Sequence, residues 1–162
     1  MNTKISKILT VILSLTFCGA VLEAGEGHGH THDSHSHADS KKKAGPNGGR
    51  VINKGGVTCE FLLTDDRFIE IRFLDEDGAI VKPSGQVITV VGGDRSAPTE
   101  LVFEDKGDAM VSSASFPEGK ALPLVLEIRQ TKDSDPVRER IRLATHSCGS
   151  CDYLEYACVC GH

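Results

Sequence analysis

Four cysteines stand close together near the end of the chain, in a pattern suited to metal binding. Cys148 and Cys151 are separated by two residues, a six-residue gap follows, and Cys158 and Cys160 are separated by one residue. Four thiolates arranged as a tetrahedron form structural zinc sites, and soft thiolates also suit Cu(I). Residues 146–162, which we call the cysteine knuckle, are therefore predicted to bind zinc or copper.

Two histidines flank these cysteines. His146 lies just before the first cysteine and His162 lies after the last. Either imidazole would be able to replace one sulfur as a zinc ligand. The second cysteine pair has one intervening residue, whereas common zinc ribbons have two, so the spacing alone does not assign the metal.

Five of the seven histidines lie within ten residues near the start of the chain, alternating with small polar residues: His28, His30, His32, His35 and His37. Neutral imidazoles on a flexible chain bind zinc, copper or nickel, with modest affinity because ordering the chain costs entropy. Residues 25–49 contain almost nothing to bury, so we predict a disordered histidine-rich tail that collects metal ions. The alternative is a polar linker in which the histidines are incidental.

Residues 1–24 have the features of a secretory signal peptide. Two lysines precede an uncharged apolar segment, residues 8–17, which is shorter than the roughly 18–20 residues of a spanning helix. Small residues follow, and cleavage after Ala20 or Ala24 is expected. A lipoprotein anchored through Cys18 is the less favoured prediction, because Phe17 is bulky. We predict a periplasmic or secreted protein with no membrane span after cleavage.

Export would place the cysteines in an oxidising compartment, which leaves two alternatives open. Disulfides pairing Cys148 with Cys160 and Cys151 with Cys158 would make the protein a disulfide-stapled interaction module without a metal function. A thiol–disulfide oxidoreductase using residues 148–151 ranks third, because that motif normally joins a strand to a helix. Cys59 lies in an apolar segment and is expected to be a buried thiol.

Residues 50–145 alternate short apolar segments with turn sequences. In one segment Ile69, Ile71 and Phe73 share one face, and residues 75–78 then have hairpin-turn chemistry. The sequence predicts strands at residues 57–63, 67–74, 79–82, 86–91, 99–104, 109–115, 122–130 and 137–143. Short strands at regular spacing with no helical period predict an all-β fold: a single antiparallel Ig-like β-sandwich of seven to eight strands.

The remaining composition argues against several functions. The net charge is −5, the chain has no Trp, and no basic patch is present, so we expect no nucleic-acid binding. The middle region contains no phosphate-binding glycine loop and no nucleophile elbow, and no histidine lies between His37 and His146. We therefore expect a protein that is not an enzyme and uses no organic cofactor.

Several features together carry a resemblance to a known group of proteins: the histidines at 28–37, the turn at 45–50, the strand pair 57–63 and 67–74, and the cysteines at 148–160. The arrangement resembles small exported proteins associated with heavy-metal efflux systems of the cobalt–zinc–cadmium type. It is also similar to N-terminal segments of some periplasmic adaptor subunits. The resemblance implies an accessory role, in which metal ions are captured or buffered in the envelope and an efflux complex is the partner.

Overall fold

A computed structural model describes residues 42–161. The predicted signal peptide, the histidines at 28–37, Cys18 and His162 lie outside the described residues. The elements are β1 (Arg50–Lys54), β2 (Val57–Leu63), β3 (Ile69–Leu74), β4 (Ile80–Val81), β5 (Val87–Asp94), β6 (Ala97–Asp105), β7 (Met110–Ser112), β8 (Ala121–Arg129), β9 (Val137–Ala144) and a 3₁₀ helix (Glu155–Ala157). Within the described part of the chain, no helix is long and apolar enough to cross a membrane.

The predicted all-β antiparallel architecture is confirmed. The strand order is β1-β2-β3-β7-β6-β5-β8-β9, β4 pairs with β3, and every pairing is antiparallel. Strand β6 belongs to both halves of this sheet, because residues 97–102 pair with β5 and residues 103–105 pair with β7. The sheet as a whole is nearly barrel-shaped. The finer assignment of an Ig-like sandwich stays a prediction.

Side chains bridge the gap between the two terminal strands, β1 and β9. The Arg50 guanidinium donates to Glu139 Oε1 at 2.8 Å, and Lys54 Nζ donates to the Arg138 carbonyl at 2.8 Å and to Glu139 Oε2 at 3.3 Å. Among residues 42–161, no backbone ladder joins these two strands. The barrel is therefore completed by ion pairs along a seam instead of by a further strand pairing.

The core follows from the alternation of side chains along the strands. Ile69 and Ile71 of β3 are fully buried, whereas Glu70 and Arg72 face the other side and pair with each other at 2.5 Å. Cys59 is fully buried in β2, as expected. Each large apolar side chain that is fully buried contributes about 1.5–3 kcal/mol, so the interior of the sheet supplies the main stabilisation of the scaffold.

Two parts of the structure differ from the expectations. Strand β1 was not predicted, because only Ile52 of its five residues is buried. Residues 44–49 were expected to belong to the disordered tail, but Ala44 pairs with Arg50, and Gly45 N–H donates to the Gly49 carbonyl at 3.0 Å. Within the described residues, backbone pairing therefore begins at Ala44.

Candidate metal centre

A small hairpin directly after β9 positions the first two cysteines. The Cys148 N–H donates to the Tyr153 carbonyl at 2.9 Å, and the Glu155 N–H donates to the His146 carbonyl at 2.9 Å. Ser147 and Leu154, which lie between these two hydrogen bonds, form an isolated antiparallel β-bridge. Residues 149–152 are the loop of this hairpin, so Cys148 lies at its base and Cys151 within the loop.

The 3₁₀ helix then returns the chain toward the hairpin. Its bonds run from Ala157 N–H to the Leu154 carbonyl at 2.9 Å and from Cys158 N–H to the Glu155 carbonyl at 3.3 Å. The change of direction brings Cys158 and Cys160 back to the first cysteine pair. The six-residue gap in the sequence is therefore the length that this return requires.

Tyr156 attaches the 3₁₀ helix to the sheet. Its hydroxyl accepts a hydrogen bond from Leu63 N–H at 3.1 Å, and its ring packs edge-on against Phe61 with 5.8 Å between the centroids. The side chain is buried, and this burial raises the pKa of Tyr156. The phenol stays neutral, and the knuckle has a fixed apolar anchor in the core.

The four cysteine sulfurs form one compact group. Their Sγ atoms all lie within 4.8 Å of one another. Cys148 Sγ is 3.4 Å from that of Cys158 and 4.0 Å from that of Cys160, and the Sγ atoms of Cys151 and Cys158 are 4.0 Å apart. A tetrahedral zinc ion with Zn–S bonds of about 2.3 Å places its sulfurs about 3.8 Å apart. The observed separations therefore fit four ligands around one ion.

Backbone N–H groups point at these sulfurs and favour the thiolate form. The Ser150 N–H donates to Cys148 Sγ at 3.4 Å, and the Cys160 N–H donates to Cys158 Sγ at 3.3 Å. Hydrogen bonds from the backbone of Tyr153 and Val159 lower the pKa of Cys151 to about 7. Thiolates are the metal-binding form of cysteine, so this backbone arrangement prepares the group for a cation.

Without a bound cation, some of the four cysteines stay protonated, and hydrogen bonds between the sulfurs determine which ones. The side-chain hydrogen bond with Cys151 is the main reason that the pKa of Cys160 is raised to about 12. At Cys148 the Ser150 N–H favours the thiolate, but desolvation and the contacts with Cys158 and Cys151 outweigh it, so its pKa is raised. Four thiolates in this volume repel one another, and a bound divalent ion would offset that repulsion.

The metal-free protein should be alkylated first at Cys151. Because its pKa is about 7, roughly half of this thiol is ionised at neutral pH, and its reactivity should rise between about pH 6 and 8. Cys59 is buried and its pKa is raised to about 12 by desolvation, so it should stay unlabelled until the protein unfolds. Iodoacetamide labelling followed by peptide mass mapping measures the order. Labelling of Cys59 before Cys151 would contradict this assignment.

The structure does not bring every predicted ligand to this group. Within residues 42–161, the cluster consists of the four cysteines alone, and His146 has an exposed side chain outside it. None of the five described cysteines is in a disulfide. The alternative pairings Cys148–Cys160 and Cys151–Cys158 each have their sulfurs 4.0 Å apart, about twice the bond length of about 2.05 Å.

A buried carboxylate beside the knuckle was missed by the sequence analysis. Glu60 of β2 is fully buried, and its Oε1 accepts hydrogen bonds from Asn47 N–H and Gly49 N–H, both at 2.8 Å. Its Oε2 accepts one from Asn47 Nδ2 at 2.8 Å. A Cβ atom added to Gly45 would lie 2.4 Å from the Glu60 side chain, so only glycine allows the turn to approach so closely.

This turn, residues 45–49, also faces the knuckle. A Cβ atom added to Gly48 would lie 3.5 Å from the ring of Tyr153. Residues 45–49 therefore lie between Glu60 on one side and the cysteine hairpin on the other. The density of glycine in the sequence was the signal that a close backbone approach occurs here.

No family model matches the chain, and neither the curated proteins nor the solved structures yield a match.

Proposed function

We propose that the protein is a non-enzymatic, exported cell-envelope protein that captures or buffers metal ions, and that its cysteine knuckle binds one zinc or copper ion. The observation that carries this proposal is the convergence of four Sγ atoms within 4.8 Å of one another. The backbone donors at Cys148 and Cys158 support it, because N–H groups aimed at sulfur stabilise metal-bound thiolates.

Zinc is the better fit of the two metals. Four sulfur ligands in a tetrahedron are typical of zinc, and soft thiolates also accept Cu(I). Exposure is graded across the site, from the buried Cys148 to the exposed Cys160. An ion bound here would have one ligand open to an incoming acceptor, which suits buffering and transfer better than a permanent structural role.

The histidine-rich tail is the second part of the proposal. Lys42 and Lys43, the first described residues, line the same surface pocket as Cys158 and Val159. The chain therefore enters the described part beside the knuckle. We expect the histidines at 28–37 to collect ions loosely and the knuckle to bind one tightly, with an envelope efflux complex as the acceptor.

The Ig-like sandwich is proposed as the finer description of the scaffold. The division of β6 between β5 and β7 supports it, because a strand that serves both halves of a sheet is one way to make two facing layers. In this role the scaffold presents the knuckle at one end of the layers, close to the start of β1.

Elemental analysis of the mature protein, purified without a tag, tests the metal site. We expect about one equivalent of zinc or copper after desalting, and about four thiols that react only after chelation. Four thiols that appear only after reduction, with no metal, would instead establish the disulfide-stapled module. Turnover in an insulin-reduction assay would favour the oxidoreductase.

A variant with alanine at His28, His30, His32, His35 and His37 separates the two parts of the proposal. It should bind fewer ions in total while retaining the tightly bound equivalent. Unchanged stoichiometry would remove the tail from the proposal and leave the knuckle unaffected.

A further inference from the structure

A groove of about 500 Å³ lies on the outer face of β5, β8 and β9. Val91 of β5 is directly opposite Val125 of β8, which is opposite Arg140 of β9; in the next row Pro123 is opposite Arg142. Directly opposed residues of antiparallel strands point to the same face. The groove therefore has an apolar floor with arginines along one side. None of the four cysteines lines it.

No described carboxylate pairs with Arg140 or Arg142. Arg138, the preceding outward arginine of β9, donates to Glu127 Oε2 at 2.8 Å, and Arg129 donates to the other oxygen at 2.9 Å. Arg140 and Arg142 have no ion pair or hydrogen bond to any of the described side chains, and neither has Arg95, which lines both the groove and an adjoining pocket together with Arg142. Among residues 42–161, three guanidinium groups without a carboxylate partner thus line an apolar groove in an acidic chain.

The spacing of these cations indicates the shape of the occupant. Arg140 and Arg142 are alternate residues of a strand, so their Cα atoms are about 6.7 Å apart. An extended peptide presents every second side chain at the same interval, and guanidinium groups bind carboxylates through paired hydrogen bonds. We infer that this groove binds an extended segment of another protein that carries carboxylates at alternate positions and apolar side chains between them.

The surroundings favour an acidic peptide over a nucleic acid. Asp94 lines the same groove, and Glu100 lies opposite Val91 across the β5–β6 pair. Both would repel a continuous phosphate backbone, which needs a longer series of cations. The groove lining contains no aromatic ring on which a base would stack. A short peptide segment with two carboxylates is able to pair with Arg140 and Arg142 without lying beside Asp94 and Glu100.

The groove continues toward the cysteine knuckle. Arg142 also lines the adjacent pocket, which contains His146, Glu155 and Tyr156. A segment bound in the groove would therefore end next to the hairpin that carries Cys148. Docking does not require a metal ion, so this inference stands or fails independently of the proposed metal site.

Fluorescence anisotropy with a labelled synthetic peptide of alternating valine and aspartate tests the inference, using the full mature chain at low salt. The wild type should bind, and the double variant Arg140→Gln/Arg142→Gln should bind at least about tenfold more weakly because two charge-assisted contacts are lost. Lys82→Gln/Lys132→Gln is the matched control: it removes the same charge at exposed positions away from the groove and should leave affinity unchanged.

Three results would overturn the inference. The first is no peptide binding by the wild type. The second is equal weakening by the two double variants, which would show attraction by net charge only. The third is tighter binding of a single-stranded oligonucleotide that depends on Arg140 and Arg142, which would make the groove a polyphosphate site. Replacing Val91 by serine keeps all the arginines and should weaken peptide binding several-fold through the floor alone.

Discussion

Replacing Cys148 by serine should lower the zinc affinity of the protein by more than a hundredfold. Four-ligand zinc sites bind with an apparent free energy of about 10–16 kcal/mol, so one ligand accounts for about 3 kcal/mol. Cys148 is the buried member of the group, it accepts the Ser150 N–H, and its sulfur lies 3.4 Å from that of Cys158. Competition with a chromophoric chelator at fixed pH measures the affinity.

The matched comparison is Cys160→Ser. Cys160 is exposed, so water is able to take the vacant ligand position, and the loss of affinity should be smaller than for Cys148→Ser. Cys59→Ser changes a core thiol outside the cluster and should leave zinc affinity unchanged. Equal affinity of the wild type and Cys148→Ser would exclude a four-cysteine site.

Replacing Glu60 by alanine should lower the free energy of unfolding by about 1–3 kcal/mol, the cost of leaving a buried hydrogen-bond donor without a partner. The substitution leaves the buried Gly49 N–H without an acceptor and opens a cavity under the 45–49 turn, whereas the donors of exposed Asn47 are able to bind water instead. Urea denaturation of the metal-free protein measures the change. Glu60→Gln keeps one acceptor oxygen and should cost less.

Glu104→Ala is the control for Glu60→Ala. Glu104 pairs with Lys106 at 2.6 Å, but both side chains are more than half exposed and the pair is screened by solvent, so its removal should leave stability nearly unchanged. Equal losses for Glu60→Ala and Glu104→Ala would show that the buried hydrogen bonds contribute no more than a surface ion pair.

Side-chain alternation explains why most of the sheet was predictable. Strand β2 has the predicted bounds, residues 57–63, because Val57, Cys59 and Phe61 form a regular apolar face. Strand β1 carries no such pattern, since its stability comes from pairing with β2 and from the ion pairs of Arg50 and Lys54 with Glu139. Pairing with distant parts of the chain does not require apolar and polar residues to alternate in the local sequence, so the sequence of such a strand carries no pattern.

The cysteine group was predictable from spacing, but its details were not. The sequence left His146 open as a ligand, and only the hairpin bond between its carbonyl and Glu155 N–H explains why its side chain lies outside the cluster. Glu60 was not among the predicted site residues. Its burial depends on a turn that lies 11 to 13 positions earlier in the chain, and such non-local packing has no signature at Glu60 itself.

The seam between β1 and β9 bears on how the protein behaves at high concentration. Both strands end the sheet, and an unpaired strand edge is a template on which a second chain can add a strand. The 3₁₀ helix of the knuckle contacts both strands, so the segment that carries the cysteines also covers part of this edge. Loss of an ion from the proposed metal site would then loosen the cover, and the metal-free protein is expected to self-associate through this edge.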